Sequence, residues 1–298
     1  MPEGDSLSIC IRLLGRFEII RGECVLRAAD WTRRKPAALL ACLALKRRLT
    51  KDQAIDLFWP DNDLHSGANN LYRTLHELRQ TLNKFLGPGS AELVFGFEDG
   101  ILSLDESVWV DAVEFERLCS PSNEDPDEQI ASLEKAITLY QGDLLPHDLY
   151  SDWTQGPRER LWLLYREASL ALAVSHRQAR DYMRAIALLL TLVSHDPADE
   201  AAQRELMRVY ALTGRRHEAL RQYQMCVDAL AKEFDAPPEP ETSALYAQIQ
   251  SRDDPNGRPL PAPRPTPAAG AGMPSLNGLR VASAPFALQP SACCKEII

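Results

Sequence analysis

Residues 64–84 read Leu-His-Ser-Gly-Ala-Asn-Asn-Leu-Tyr-Arg-Thr-Leu-His-Glu-Leu-Arg-Gln-Thr-Leu-Asn-Lys. Leu71, Leu75, Leu78 and Leu82 recur at steps of four, three and four, the spacing that lines one side of an α-helix. At about 100° per residue the opposite side carries Asn69, Arg73, His76 and Gln80, with Ser66 and Glu77 on its flank. Asn and Gln can bond adenine bidentately and Arg can bond guanine, so this face suits the major groove of a duplex. A solvated amphipathic helix shows the same pattern. The sequence on either side has to decide between them.

Upstream, residues 7–28 run apolar in short pieces, Ser-Ile-Cys-Ile-Arg-Leu-Leu, Phe-Glu-Ile-Ile and Cys-Val-Leu, punctuated by Gly15 and Gly22. They predict three or four short antiparallel strands. A first helix follows, with Thr32 as its expected cap, Pro36 in its first turn and Ala37, Leu40, Ala41, Ala44 and Leu45 as its buried side. Arg33, Arg34 and Lys35 crowd its start. Cations there oppose the helix dipole at a cost of about 0.3–1 kcal/mol, which hints at a neighbouring anion such as a phosphate backbone. Thr50-Lys51-Asp52-Gln53 reads as a capping box that opens a second helix through Ile55 to Trp59, stopped by Pro60.

Downstream, Leu93–Phe97 and Ile101–Leu104 flank Asp99-Gly100, a strong hairpin signal. Strands, three helices and a hairpin is the order of a winged helix-turn-helix. From Val108 a connector leads through the polar break 120–126 to helices expected over Ile130–Tyr140 and from Pro157 through His176. Then Leu172, His176, Ala185 and Leu189 are matched 34 positions on by Leu206, Tyr210, Ala219 and Tyr223. That is the tetratricopeptide period, with small residues where paired helices meet. A last helix is expected over Glu241–Gln250. Beyond Asp253 the chain turns rich in Pro, Ala and Gly, a composition that predicts disorder.

The 298 residues carry a net charge of −9, with 45% hydrophobic and 25% charged residues. Residues 11–85 hold 14 Lys and Arg against 8 Asp and Glu, a net of +6, whereas residues 86–298 carry −13. A basic module joined to an acidic one is the asymmetry expected when only the first meets phosphates. The seven cysteines and six histidines show no metal-ligand spacing, and no apolar run reaches the roughly 18–20 residues of a membrane span. A reducing cytoplasm suits scattered thiols. The sequence holds no nucleotide-binding glycine loop or nucleophile elbow, and the Asp148–Asp152 acidic cluster reads as a solvated loop. Neither catalysis nor a cofactor or metal is expected.

With both halves placed, residues 7–250 resemble the bacterial transcriptional activator domain family, including regulators of the SARP type. Leu13-Leu14-Gly15-Arg16-Phe17-Glu18, Arg34-Lys35-Pro36-Ala37-Ala38-Leu39-Leu40-Ala41, Leu57-Phe58-Trp59-Pro60-Asp61, Ala68-Asn69-Asn70-Leu71 and Leu78-Arg79 carry the resemblance in the first half. In the second half, Trp109-Val110-Asp111-Ala112-Val113-Glu114-Phe115, Tyr140-Gln141-Gly142-Asp143-Leu144-Leu145-Pro146 and Pro157-Arg158-Glu159-Arg160-Leu161 carry it.

The resemblance implies a mainly α fold with a small β part. Residues 1–6 are a flexible N-terminus and 7–107 a winged helix-turn-helix of the response-regulator output type. Residues 108–250 are an all-α tetratricopeptide-like domain and 251–298 a disordered tail. It implies a transcriptional activator that binds double-stranded DNA as a homodimer and contacts RNA polymerase. Asn69, Asn70, Arg73, His76 and Glu77 would face bases, and Arg33, Arg34, Lys35, Lys51 and Arg79 would hold phosphates.

The sequence departs from that pattern at an acidic wing tip, Phe97-Glu98-Asp99-Gly100, and at Glu77, a position that is often basic. It also lacks the ATPase and sensor regions that larger relatives carry after the helical domain. Two other readings stay open: an adaptor that binds protein through its helical repeats, and a regulatory fragment of a larger ATPase-type regulator.

Overall fold

The computed structural model describes residues 8–120, 125–146 and 152–251. The tail expected to be disordered, His147 and most of the acidic cluster near it lie outside these residues, as does the N-terminal 1–6. The chain starts with β1 (Ile9–Arg12), β2 (Glu18–Arg21) and β3 (Cys24–Arg27), an antiparallel meander in which Ile11 faces Ile19 and Ile19 faces Leu26 across the ladders. Helix α1 (Arg34–Lys46) follows, and a short strand β4 (Arg48–Thr50) leads into α2 (Lys51–Phe58). Arg33 occupies the N-cap position of α1 and makes no side-chain cap bond, so Thr32 is not its cap.

The capping box of α2 forms as expected: Gln53 N–H donates to Thr50 Oγ1 at 3.2 Å and Thr50 N–H donates to Gln53 Oε1 at 3.0 Å. Helix α3 (Leu64–Leu86) buries Leu71, Leu75, Leu78 and Leu82, the stripe that defined it in the sequence. Gly67 sits where α3 crosses α2. A methyl group added there would lie 2.5 Å from Ile55 Cγ2, so the two helices meet at a distance only glycine permits.

Leu93 and Val94, expected in a strand, instead end a short helix α4 (Ser90–Val94), where the Ser90 hydroxyl donates to Gly87 O and Asn83 Oδ1 accepts the Ala91 N–H as the chain turns. The hairpin is β5 (Phe95–Glu98) and β6 (Ile101–Leu104). Asp99 and Gly100 both have positive φ, 49° and 77°, as a two-residue turn of the tight hairpin type requires. Strand β4 adds to β6, giving a second sheet of order β4-β6-β5.

What the sequence suggested was a connector is a structural seam. Strand β7 (Trp109–Val110) pairs in parallel with β1, so the first sheet runs β3-β2-β1-β7 and takes in the opening of the helical half. Helix α5 (Asp111–Cys119) begins on the next residue. Its Asp111 is buried and accepts N–H bonds from Leu13 at 2.8 Å, Leu14 at 3.0 Å and Ala112 at 2.7 Å. The Tyr140–Pro146 loop closes on the same place. Gly15 N–H donates to Asp143 O at 2.9 Å and Leu145 N–H to Leu13 O at 2.9 Å, while Arg158 Nε reaches Leu144 O at 3.1 Å. One continuous apolar core therefore runs from Ile9 to Ile249.

The helical half continues with α6 (Pro126–Leu139), α7 (Asp152–Gln178), α8 (Tyr182–His195), α9 (Glu200–Leu212), α10 (Arg216–Phe234) and α11 (Pro240–Gln250). Helix α7 starts five residues before Pro157, which lies inside it. The 34-residue repeat appears in the backbone as well as in the side chains. Arg180 and Gly214 take positive φ of 62° and 77° at matching places, and Asp181 N–H to His176 O is repeated as Arg215 N–H to Tyr210 O, both 2.8 Å. Ala185 and Ala219 are fully buried where the paired helices approach. Between the units, Asp199 caps α9 and also receives Arg166 Nε and Nη2, each at 2.6 Å.

Candidate nucleic-acid interface

Helix α3 is set up by Asp63, whose carboxylate accepts N–H bonds from His65 and Ser66, both at 2.9 Å, and the Ser66 hydroxyl at 2.8 Å. The bonds from Ser66 hold that carboxyl below the ordinary carboxylate range. The leucine stripe anchors the helix on α1, α2 and the first sheet, which leaves Asn69, Arg73, His76 and Gln80 exposed. The helical half leaves them exposed; besides the seam it reaches the end of α2, where Phe58 and Trp153 rings lie 6.1 Å apart.

The residues on this face differ in how free they are. Asn69 and Arg73 make no side-chain hydrogen bond or ion pair to the described residues, while His76 Nε2 and Gln80 Nε2 lie 2.9 Å apart. Asn70 is half-buried on the side toward α1, and Glu77 is half-buried beside it. Glu77 Oε1 accepts Arg33 Nη1 at 2.6 Å.

The three cations at the start of α1 meet internal partners in two cases. Besides the Arg33–Glu77 pair, Lys35 Nζ donates to Phe58 O at 2.8 Å, at the carbonyl end of α2, and lies 4.8 Å from the Trp59 ring. A cation at a helix C-terminus is favoured by the dipole, so Lys35 caps α2. Arg34 alone of the three is exposed without such a bond to the described residues. All three line a cleft of about 330 Å³ between α1 and α3 together with Asn70, Arg73 and Glu77.

On the opposite flank α3 meets the hairpin. Tyr72, 49% exposed, packs edge-on against Phe97 at 5.9 Å, and Lys51 Nζ lies 5.6 Å from the Tyr72 ring. Arg79 stacks over Phe95 at 5.1 Å. Tyr72 and Phe97 were missed as members of this surface. The signal was present, because Tyr72 follows Asn69 by three residues and so shares its side of the helix. The structure thus brings Asn69, Arg73, His76 and Gln80 into one exposed row, with Lys51 and Arg79 on the hairpin side and Arg33, Arg34 and Lys35 on the α1 side.

A family model described as bacterial transcriptional activator domain matches residues 110–250. Residues 110–250 belong to that family. The bacterial transcriptional activator domain here spans the end of β7 through α11, and its family is one of transcription regulators. Among solved structures, Mycobacterium tuberculosis EmbR, determined in complex with a low affinity phosphopeptide, matches with a TM-score of 0.61 at 18% identity. The match covers 86% of this chain and 67% of that one, so the two share a fold that extends through both halves. No curated protein matches the chain.

Part of the stretches that carry the family resemblance forms the seam between the first sheet and this domain, while Arg34–Ala41, Ala68–Leu71 and Leu78-Arg79 lie on α1 and α3. Gly15, Asp111, Gly142 and Arg158 fix the two halves to each other and stand apart from α3. Among the described residues no group of His, Cys, Asp and Glu is arranged to hold a metal ion, and no helix is long and apolar enough to cross a membrane.

Proposed function

We propose that the chain is a sequence-specific DNA-binding transcriptional regulator of the cytoplasm. In this reading it docks α3 in the major groove, binds DNA as a homodimer and activates by contacting RNA polymerase through its bacterial transcriptional activator domain. The observation that carries it is the exposed Asn69–Arg73–His76–Gln80 row, flanked on one side by a hairpin and on the other by a cation-bearing helix start. Amide and guanidinium groups of this kind read base edges by bidentate hydrogen bonds. Asn69, Arg73 and His76 are assigned to bases, with Asn70 at the edge of the row. Arg34, Lys51 and Arg79 are assigned to phosphates.

Arg73→Ala should reduce affinity for the selected duplex by about 1–3 kcal/mol and leave binding to unrelated DNA nearly unchanged. Titration of both duplexes by fluorescence anisotropy at several salt concentrations checks this. An equal loss on both would move Arg73 from base reading to backbone contact.

The adaptor reading is favoured by the acidic wing tip, where Glu98 and Asp99 are both exposed on the side that would meet a phosphate backbone. An adaptor would keep its partner when Asn69 and Arg73 are both changed to Ala. A regulator would lose its promoter.

A further inference from the structure

Glu77 has two arginines within reach and engages one. Arg73 stands four residues earlier on the same helix, a spacing at which opposite charges pair. The ion pair in the structure runs instead to Arg33, Nη1 to Oε1 at 2.6 Å. An acid placed after its base at this spacing is the weaker arrangement within a helix, whereas Arg33 approaches from outside α3 and is not bound by that geometry. The Glu77 side chain is 25% exposed and shares the cleft with Arg33, Arg34 and Arg73, so its carboxylate stays beside these guanidinium groups whichever one it holds.

We infer that Arg33 is a positioning residue for base recognition: it occupies the Glu77 carboxylate and thereby leaves the Arg73 guanidinium free to face the DNA. The inference rests on the DNA-binding reading above. It gives the cation at 33 a role other than gripping a phosphate, and it accounts for an acidic residue at the edge of a surface that meets a polyanion. With Arg33 in place the Glu77 charge is neutralised within the protein. Without Arg33, Glu77 draws in Arg73, which takes that guanidinium from the bases and lowers the preference for the selected duplex.

The test uses the full chain as wild type, R33A, E77Q and the double variant R33A/E77Q. Each is titrated against a duplex selected by the wild type and against an unrelated duplex, across a range of salt. R33A should lose roughly three- to tenfold of its preference for the selected duplex with little change in the log–log salt slope. The double variant should return to within about twofold of wild type, because no carboxylate remains to capture Arg73.

If R33A instead lowers the slope by roughly 0.9 and the double variant stays weak, Arg33 is a phosphate contact and the inference is overturned. Unchanged preference in R33A overturns it as well. Arg33 is 63% exposed, so its removal leaves the core intact, and thermal melts of each variant verify this. Failure of the underlying reading looks different: the wild type itself then prefers no duplex.

Discussion

Asp111→Ala should destabilise the protein by about 3–5 kcal/mol, measured by urea denaturation at neutral pH. The carboxylate is 3% exposed and accepts N–H bonds from Leu13, Leu14 and Ala112, the first two nearly a hundred residues away in the chain. Alanine leaves buried donors without an acceptor, and each such group costs about 1–3 kcal/mol, part of which water entering the cavity recovers. Asp111→Asn should recover some of that loss, since its amide oxygen still accepts while its NH₂ faces other donors.

The same residue sets a pH dependence. Burial pushes its carboxyl up from 3.8 to about 6, against the hydrogen bonds from Leu14, Leu13 and Ala112 that favour the charged form. The folded state therefore holds this proton more tightly than the unfolded state does. The stability this group adds is fully present below about pH 4, falls as pH rises to about 6 and is level above that. The amount is up to about 3 kcal/mol. Asp111→Asn cannot titrate, so the stability difference between wild type and this variant should shrink as pH rises from 4 to 6. A difference that is flat across that window would contradict the assignment.

Gly15→Ala should cost about 3–4 kcal/mol, from two additive causes. Gly15 has φ +77°, a conformation that strains an L side chain by about 1–2 kcal/mol. A methyl group there would also lie 2.7 Å from Gln141 O and 2.8 Å from Gln141 C, which are backbone atoms and cannot rotate aside. The loop must move away, and the Gly15–Asp143 and Leu145–Leu13 bonds lengthen or break. Thermal and urea melts read the loss. A Gly15→Ala protein with wild-type midpoint and slope would show that the seam is softer than its geometry implies.

Both predictions fall on the seam, which was the part of the molecule hardest to read from sequence. Elements with their own periodicity or capping were legible: the α3 leucines, the Thr50–Gln53 box, the Asp99-Gly100 turn and the 34-residue repeat. The first three of those signals lie within a short window of chain, and the fourth shows as a fixed spacing. Strands β4 and β7 have three and two residues, too few for any alternation to show, and they exist because β6 and β1 offer them ladders. Arg33, not Thr32, stands at the N-cap of α1 and makes no side-chain cap bond, so no local hydrogen bond marks that helix start.

The candidate interface divides the same way. The exposed row of α3 followed from helical geometry alone. The partners of Arg33 and Lys35 could not follow, since Glu77 and the carbonyl of Phe58 come from other helices 44 and 23 residues away. The cations at the start of α1 did indicate anionic neighbours, and two such neighbours are a carboxylate and a helix end inside the protein. The place of Tyr72 on this face follows from the same helical geometry, but its contact with Phe97 of the hairpin does not, since no local pattern connects the two.

The central claim is that α3 reads duplex DNA by sequence. Its most direct test is repeated selection of duplexes from a random-sequence pool by the purified full chain, with the bound fraction sequenced after each round. The account predicts a short enriched motif that wild type selects and that the Asn69→Ala, Arg73→Ala double variant does not. A pool that stays random through every round, at low salt as well as physiological salt, would contradict it.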